Sequence, residues 1–135
     1  MALMILAAAH VVGAGGYAQR IAMASHEIAS DEPHKRGGTD TGPSPFELMI
    51  GSLGACTAIT LRMYADRKQW KLGLIDVKLR LVKEGDETRI ERTITVAEAV
   101  DTEQQGKLLE IADKTPVTKA LAPGVNIQTT FQKGS

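Results

Sequence analysis

The stretch GGTDTGPSPFELMIGSLGAC, residues 37–56, decides the fold, because a loop rich in glycine and proline runs directly into an apolar helix. Ser44 is a favourable N-cap, and Pro45 at the first helical position loses no hydrogen bond, so the helix is predicted to continue from here to about Lys68. The stretch ends on Cys56, the single cysteine of the sequence. The first functional question is whether Cys56 is a nucleophile or a small apolar residue of the core.

The composition limits the number of domains and the kinds of partner. With 135 residues, the chain is predicted to form a single domain over residues 1–135. Its 16 basic and 16 acidic side chains balance, which argues against a nucleic-acid partner and against an anionic membrane surface. One cysteine excludes an intrachain disulfide, and a cytoplasmic location is the simpler interpretation. No Lys or Arg precedes Arg20, so the apolar first residues are not expected to be a secretory signal.

The apolar run over residues 46–61 is the one segment that resembles a membrane span. It has sixteen residues and includes Glu47, whereas a membrane-spanning helix needs about 20 apolar residues. The run is therefore predicted to be a buried helix of a protein without a membrane partner.

The remaining patterns predict an α+β fold with antiparallel strands. Residues 4–12 and 17–30 are extended candidates around a glycine-rich turn. Apolar residues alternate over 75–81, and the alternation continues after a turn, with Arg92 as its one break. A last strand is expected over 125–131.

Two further helix starts are visible in the second half of the chain. Asp101 and Gln104 have the spacing of a capping box, which predicts a helix through Ala112. Thr115 followed by Pro116 predicts a third helix start. The expected fold is thus one long central helix plus a second helix packed on antiparallel sheet.

A resemblance to a known family rests on residues 31–33, 37–38, 42–45, 47–48, 53–56 and 111–117. In identity and order these motifs resemble the osmotically inducible protein C (OsmC) and organic hydroperoxide resistance (Ohr) proteins, over residues 17–131. The resemblance implies an intertwined homodimer whose two central helices are wrapped by sheet. It also implies thiol-dependent reduction of organic hydroperoxides, without a cofactor.

The resemblance implies a role for several residues. The peroxidatic position falls on Cys56 and the activating arginine on Arg36. The resolving position falls on Thr115, which cannot form a disulfide, so an external thiol reductant is expected. The family's glutamate usually follows the proline of the motif, where this chain has Phe46. Glu47 comes one residue later, and it is either a displaced catalytic partner or a carboxylate that favours the helix N-terminus.

The surroundings of Cys56 define the expected substrate. Phe46, Met49 and Leu53 are predicted to line an apolar pocket, which suits an organic hydroperoxide or another apolar small molecule. Cys56 lies too far into the helix for its positive end to lower the thiol pKa. The activating cation must therefore come from another segment, either Arg36 or an arginine of a second copy.

Two functions remain open at this point. One is an enzyme that reduces organic hydroperoxides through Cys56. The other is a catalytically retired dimer that binds a small molecule, which the loss of a cysteine at Thr115 and the displacement of Glu47 favour. The three histidines lack metal-ligand spacing, so no metal site is expected.

Overall fold

The computed structural model of the chain describes residues 2–134, which form five strands and three α-helices. In chain order these are β1 (His10–Val12), β2 (Gln19–Met23), β3 (His26–Ser30), α1 (Pro45–Lys68), β4 (Ile75–Glu84), β5 (Glu87–Val96), α2 (Thr102–Ala112) and α3 (Pro116–Leu121). The α+β class is confirmed. Residue contacts divide the chain into two compact units, a first unit up to Ile50 and a second unit from Gly51 onward. A single domain over residues 1–135 stays a prediction.

The first unit contains an antiparallel sheet in the order β1-β2-β3. Ile21 of β2 is paired with Val11 on one side and with Ile28 on the other. The predicted hairpin is confirmed, but its first strand has three residues instead of nine, since the alanine-rich residues before His10 have low strand propensity. The predicted segment 17–30 is two strands, divided by a turn in which Ala24 has a φ of 51°.

Helix α1 begins at Pro45 and ends at Lys68, as predicted. At 24 residues it is long enough and apolar enough to cross a membrane, so the length argument from residues 46–61 is wrong. The helix nevertheless buries one stripe within the second unit, formed by Leu53, Thr57, Leu61 and Ala65. Residues four apart lie on one face of a helix, and such a buried stripe is typical of a core helix.

The second unit is built on the β4–β5 hairpin, whose register runs from Ile75 opposite Val96 to Glu84 opposite Glu87. Its core joins residues of α1, α2 and the connection after α1, namely Leu61, Ala65, Leu72 and Leu108. Trp70 packs against this cluster, and its ring meets Tyr64 edge to face at a centroid distance of 5.5 Å.

Gly54 shows why a glycine is needed inside α1. A Cβ atom at this position would lie 2.7 Å from Cδ1 of Leu79 in β4, which is too close for an undisturbed side chain. The missing side chain therefore allows α1 and β4 to approach each other. Gly51 has no such neighbour, because a Cβ atom there would meet nothing within 4 Å.

Both predicted helix starts in the second half of the chain are confirmed. Asp101 accepts a hydrogen bond from the backbone N–H of Gln104 at 2.7 Å, and Gln104 Oε1 accepts one from the backbone of Asp101 at 3.0 Å. Thr115 caps α3, and Pro116 occupies its first turn.

The predicted strand over residues 125–131 is wrong for the single chain. The described residues after Gly124 form neither helix nor strand. Val125, Ile127 and Phe131 are exposed, to 67%, 86% and 96%. A strand needs a neighbouring backbone to complete its hydrogen bonds, and residues 2–134 provide none along this segment.

Candidate functional site

Cys56 lies in α1 within the second unit and is half-buried. Its Sγ atom is 4.0 Å from the Thr60 hydroxyl, one helical turn further along. The adjacent Thr57 is completely buried, so the helix turns from its core face to its partly accessible face at this position. Cys56 is therefore not sealed in the core, and the residue keeps the partial exposure that a nucleophilic position needs.

The first unit brings together three of the predicted site residues. Arg36 ends a short 3-10 helix (His34–Arg36) and lines a cleft of about 480 Å³ together with Phe46 and Glu47. Glu32 and Asp40 line the same cleft. Cys56 belongs to the other unit.

Glu47 holds the start of α1. One of its carboxylate oxygens accepts a hydrogen bond from the backbone N–H of Ser44 at 2.8 Å, and its own N–H donates to the Ser44 hydroxyl at 3.2 Å. These reciprocal bonds form a capping box. The backbone N–H of Ser44, followed by its hydroxyl, lowers the pKa of Glu47 below its ordinary value. Glu47 therefore has the position and bonds of a helix N-terminal carboxylate, and its catalytic role stays a prediction.

Asp31 accepts hydrogen bonds that stabilise the loop between β3 and α1, which contains Arg36. Only 2% of Asp31 is exposed. One carboxylate oxygen accepts a hydrogen bond from the N–H of Glu32 at 2.7 Å. The other accepts four bonds, from the backbone and hydroxyl of Thr39 and from the backbone and hydroxyl of Thr41. The loop is thus closed around one buried charge, a role that the sequence analysis did not assign.

The same loop explains a glycine of the resemblance motif. A Cβ atom on Gly38 would lie 1.9 Å from the carbonyl oxygen of Glu32, so only glycine fits. Together with the Asp31 bonds, this close approach fixes the path of the loop around Arg36.

Thr115, the predicted resolving position, is completely buried at the start of α3. Its hydroxyl oxygen accepts a hydrogen bond from the backbone N–H of Thr118 at 3.3 Å and lies 2.7 Å from the Thr118 hydroxyl. The residue in the resolving position therefore serves as a helix cap.

Arg92 is the functional candidate that the sequence analysis left without a role. Its side chain is only 14% exposed, and Nη1 donates to the hydroxyl of Thr57 at 2.9 Å and to that of Thr118 at 3.1 Å. Nη2 lies 3.4 Å from Oδ1 of Asp113. The sequence does indicate a buried position for Arg92. It interrupts an apolar alternation, and residues two apart in a strand lie on the same face, so Arg92 faces inward with Ile94.

The residues predicted to line one substrate pocket do not lie in the same cleft. Phe46 lines the cleft beside Arg36, whereas Leu53 lines a second cleft, of about 570 Å³, that also contains Arg92. Met49 is half-buried in α1. Within residues 2–134, no group of three or more histidine, cysteine, aspartate or glutamate side chains could hold a metal ion.

The family model described as OsmC-like protein matches residues 38–130, and the chain belongs to this family. None of the curated proteins searched matches the chain.

Solved structures show the same fold at low sequence identity. A protein of Psychrobacter arcticus, described as an osmotic stress induced and detoxification response protein, is 20% identical, with a TM-score of 0.77 over 91% of this chain and 93% of that one. An organic hydroperoxide resistance protein OsmC of Legionella pneumophila is 14% identical, with a TM-score of 0.64 over 89% and 91%. The organic hydroperoxide resistance protein OhrB of Bacillus subtilis is 24% identical, with a TM-score of 0.55 over 84% and 89%.

The Asp31 loop gives a pH-dependent prediction. The Thr39 hydroxyl and then the Thr41 bonds lower the pKa of Asp31 below its unfolded value of about 3.9. Its carboxylate therefore stabilises the fold at neutral pH, and this contribution is lost as the pH falls below about 4 and through the lowered pKa. Asp31→Asn should lower the urea midpoint at neutral pH, and its difference from the parent should shrink in acid.

The matched control is Asp40→Asn, because Asp40 is an exposed residue of the same loop. Its urea midpoint should stay near that of the parent at every pH. A difference between parent and Asp31→Asn that persists unchanged in acid would contradict the role of the Asp31 charge.

Proposed function

We propose that the protein reduces organic hydroperoxides through Cys56. The Cys56 thiolate attacks the terminal oxygen of the hydroperoxide, and the O–O bond breaks. The sulfur gains this oxygen as a sulfenic acid, while the remaining alkoxide takes up a proton and leaves as the alcohol. The hydroperoxide is thereby reduced by two electrons, and the sulfur is oxidised by two.

The observation that carries this proposal is the partial exposure of Cys56, the only cysteine in the chain, on the helix that the family motif occupies. A thiol sealed in the core would be inert. The similar proteins of Legionella pneumophila and Bacillus subtilis are named for organic hydroperoxide resistance, which supports the substrate class.

An external thiol completes the cycle in this proposal. The first external thiol condenses with the sulfenic acid and releases water, which leaves a mixed disulfide. A second thiol attacks this disulfide, regenerates Cys56 and departs as the oxidised reductant. A reducing cytoplasm would supply such thiols, so a cytoplasmic location is part of the proposal.

The proposal gives Arg36 the activating role that the family resemblance implies. An arginine beside a thiolate lowers the thiol pKa by about 1–3 units, so more thiolate is present at mildly acidic pH. Arg36→Met removes the charge and keeps much of the apolar stem. It should slow the formation of Cys56 sulfenic acid about tenfold at about pH 6, and less at alkaline pH, where any thiol ionises.

The measurement uses one equivalent of cumene hydroperoxide, dimedone trapping and intact-mass spectrometry. Dimedone is needed because the five methionines can also gain oxygen. Lys35→Met is the matched control, since Lys35 is an exposed cation of the same short helix, and its rate should equal that of the parent. Cys56→Ser should form no adduct. Equal rates for Arg36→Met and Lys35→Met would remove Arg36 from the mechanism.

Thr115→Cys tests the proposed external resolution. A thiol at this position should condense with the Cys56 sulfenic acid and form an internal disulfide, seen as a loss of two hydrogens. It should also protect Cys56 from sulfinic acid when hydroperoxide is in excess. Since Thr115 caps α3, the replacement should lower stability by about 1 kcal/mol.

Thr95→Cys is the control for a second thiol, because Thr95 is exposed on β5. This variant should over-oxidise as fast as the parent. If Thr115→Cys does so as well, the assignment of Thr115 to the resolving position is wrong.

A binding module is the second candidate function, and two contacts favour it. Glu47 closes a capping box, and Thr115 caps α3, so two positions that the resemblance associates with catalysis have structural roles here. Under this alternative, Cys56 would remain unmodified by hydroperoxide in the folded protein and react only after denaturation.

We also propose that two copies of the chain form a homodimer. Ile59 and Met63 of α1 and Leu74 are exposed to 54%, 62% and 74%, which leaves an apolar surface of the second unit uncovered. The apolar segment 125–131 is likewise exposed and without a strand partner. A second copy would cover both surfaces.

Sedimentation velocity at micromolar concentration tests the dimer. The parent should sediment as a dimer, and Met63→Glu should shift the equilibrium toward monomer by placing a charge on the apolar surface. Met63→Leu keeps the apolar surface and should remain dimeric. A folded parent that sediments as a monomer would overturn the homodimer.

A further inference from the structure

The cleft of about 570 Å³ in the second unit has the character of a small-molecule site. Leucine and isoleucine side chains from α1, both strands of the hairpin and the later helices form much of its wall, namely Leu53, Leu81, Ile90, Leu109 and Leu121. Small-molecule sites combine such apolar walls with a few fixed polar groups. Cys56 is not a lining residue, so ligand binding in this cleft does not require the thiol.

The fixed polar group of this cleft is the guanidinium of Arg92. Its Nη1 atom donates to the hydroxyl oxygens of Thr57 and Thr118. Each hydroxyl in turn donates to a backbone carbonyl, that of Leu53 at 2.7 Å and that of Ala112 at 3.2 Å. Both hydroxyl oxygens therefore face Arg92, and the plane of the guanidinium is held in one orientation.

The charge of Arg92 is only weakly neutralised by the protein. Nη2 faces Asp113 at 3.4 Å, longer than the roughly 2.7–2.9 Å of a charge-assisted hydrogen bond. The Asp113 side chain is 81% exposed, so water screens its charge. The side chain of Arg92 itself is 14% exposed, where an electrostatic interaction is stronger than in water.

Arg89, the other arginine of the cleft, has a different position. Its guanidinium forms ion pairs at 2.9–3.2 Å with three carboxylates, those of Glu84, Glu87 and Glu91. Its charge is already balanced, whereas the Nη2 edge of Arg92 remains available to a stronger anion.

We propose that this cleft binds a small monocarboxylate with an apolar tail or ring. The carboxylate lies on the Nη2 edge of Arg92 and replaces Asp113, because a planar carboxylate matches the guanidinium fork. The apolar part lies against Leu53, Leu109 and Leu121. A purely structural role, in which Arg92 only connects β5 to α1 and α3, explains the Nη1 hydrogen bonds. It explains neither the cleft nor the long contact between Nη2 and Asp113.

Isothermal titration calorimetry of the full chain at neutral pH tests this site with two probes, octanoate and its uncharged isostere octanamide. Octanamide should bind about tenfold more weakly, or worse, because it lacks the charge that Arg92 recognises. Asp113→Asn removes the competing anion and should tighten octanoate binding about threefold or more. Asp66→Asn removes the same charge from an exposed residue of α1 and should leave the affinity unchanged.

Arg92→Met should abolish the preference for octanoate over octanamide, provided that the variant folds. The probes and the Asp113→Asn comparison remain decisive if it does not fold. Equal affinities for octanoate and octanamide in the parent would overturn the proposal, as would an unchanged or weaker affinity in Asp113→Asn. The absence of octanoate binding at millimolar concentration would also overturn the proposal. If, in that case, Arg92→Met also dissociates the dimer, the cleft is part of the contact between two copies of the chain.

Discussion

The packing of the second unit depends on the hydrogen bonds of Arg92. A guanidinium inside an apolar wall is strongly unfavourable unless hydrogen bonds replace the water it has lost. Thr57 on α1 and Thr118 on α3 accept these bonds. The Thr57 hydroxyl is oriented by the carbonyl of Leu53 in the same helix, and the Thr118 hydroxyl by the carbonyl of Ala112 at the end of α2. The Arg92 guanidinium thereby connects β5 to α1 and α3. Because the buried cation needs hydrogen-bond acceptors, hydroxyl side chains lie beside it at Thr57 and Thr118.

The elements that the sequence predicts best are those set by neighbouring residues. The three helix starts, at Pro45, Thr102 and Pro116, depend on contacts within about four residues, and all are where the local pattern places them. The wrong predictions concern strands and turns that the neighbouring residues alone do not determine. The segment 125–131 has the right alternation, but residues 2–134 place no neighbouring strand beside it, and the turn at Ala24 forms without glycine or proline.

The residues of the candidate site also differ in how far the sequence alone indicates them. Cys56 and Arg36 can be proposed from the sequence because they lie in or beside a compact motif. Arg92 and Asp31 were not assigned a role, because a charged residue in a single sequence is ordinarily read as solvent-exposed. The partners of Arg92 lie 35 and 26 residues away, at Thr57 and Thr118, and no local pattern connects such distant positions. Their proximity results from the packing of the hairpin against the helices.

The capping box at Glu47 limits what chemistry this carboxylate can perform. A general acid must hold a proton and release it, but a protonated Glu47 would be a poorer acceptor for the backbone N–H of Ser44. Each proton taken up would loosen the first turn of the helix that carries Cys56. In the proposed reaction, a Glu47 that keeps its capping box stays ionised, and the alkoxide would take its proton from water or from another donor.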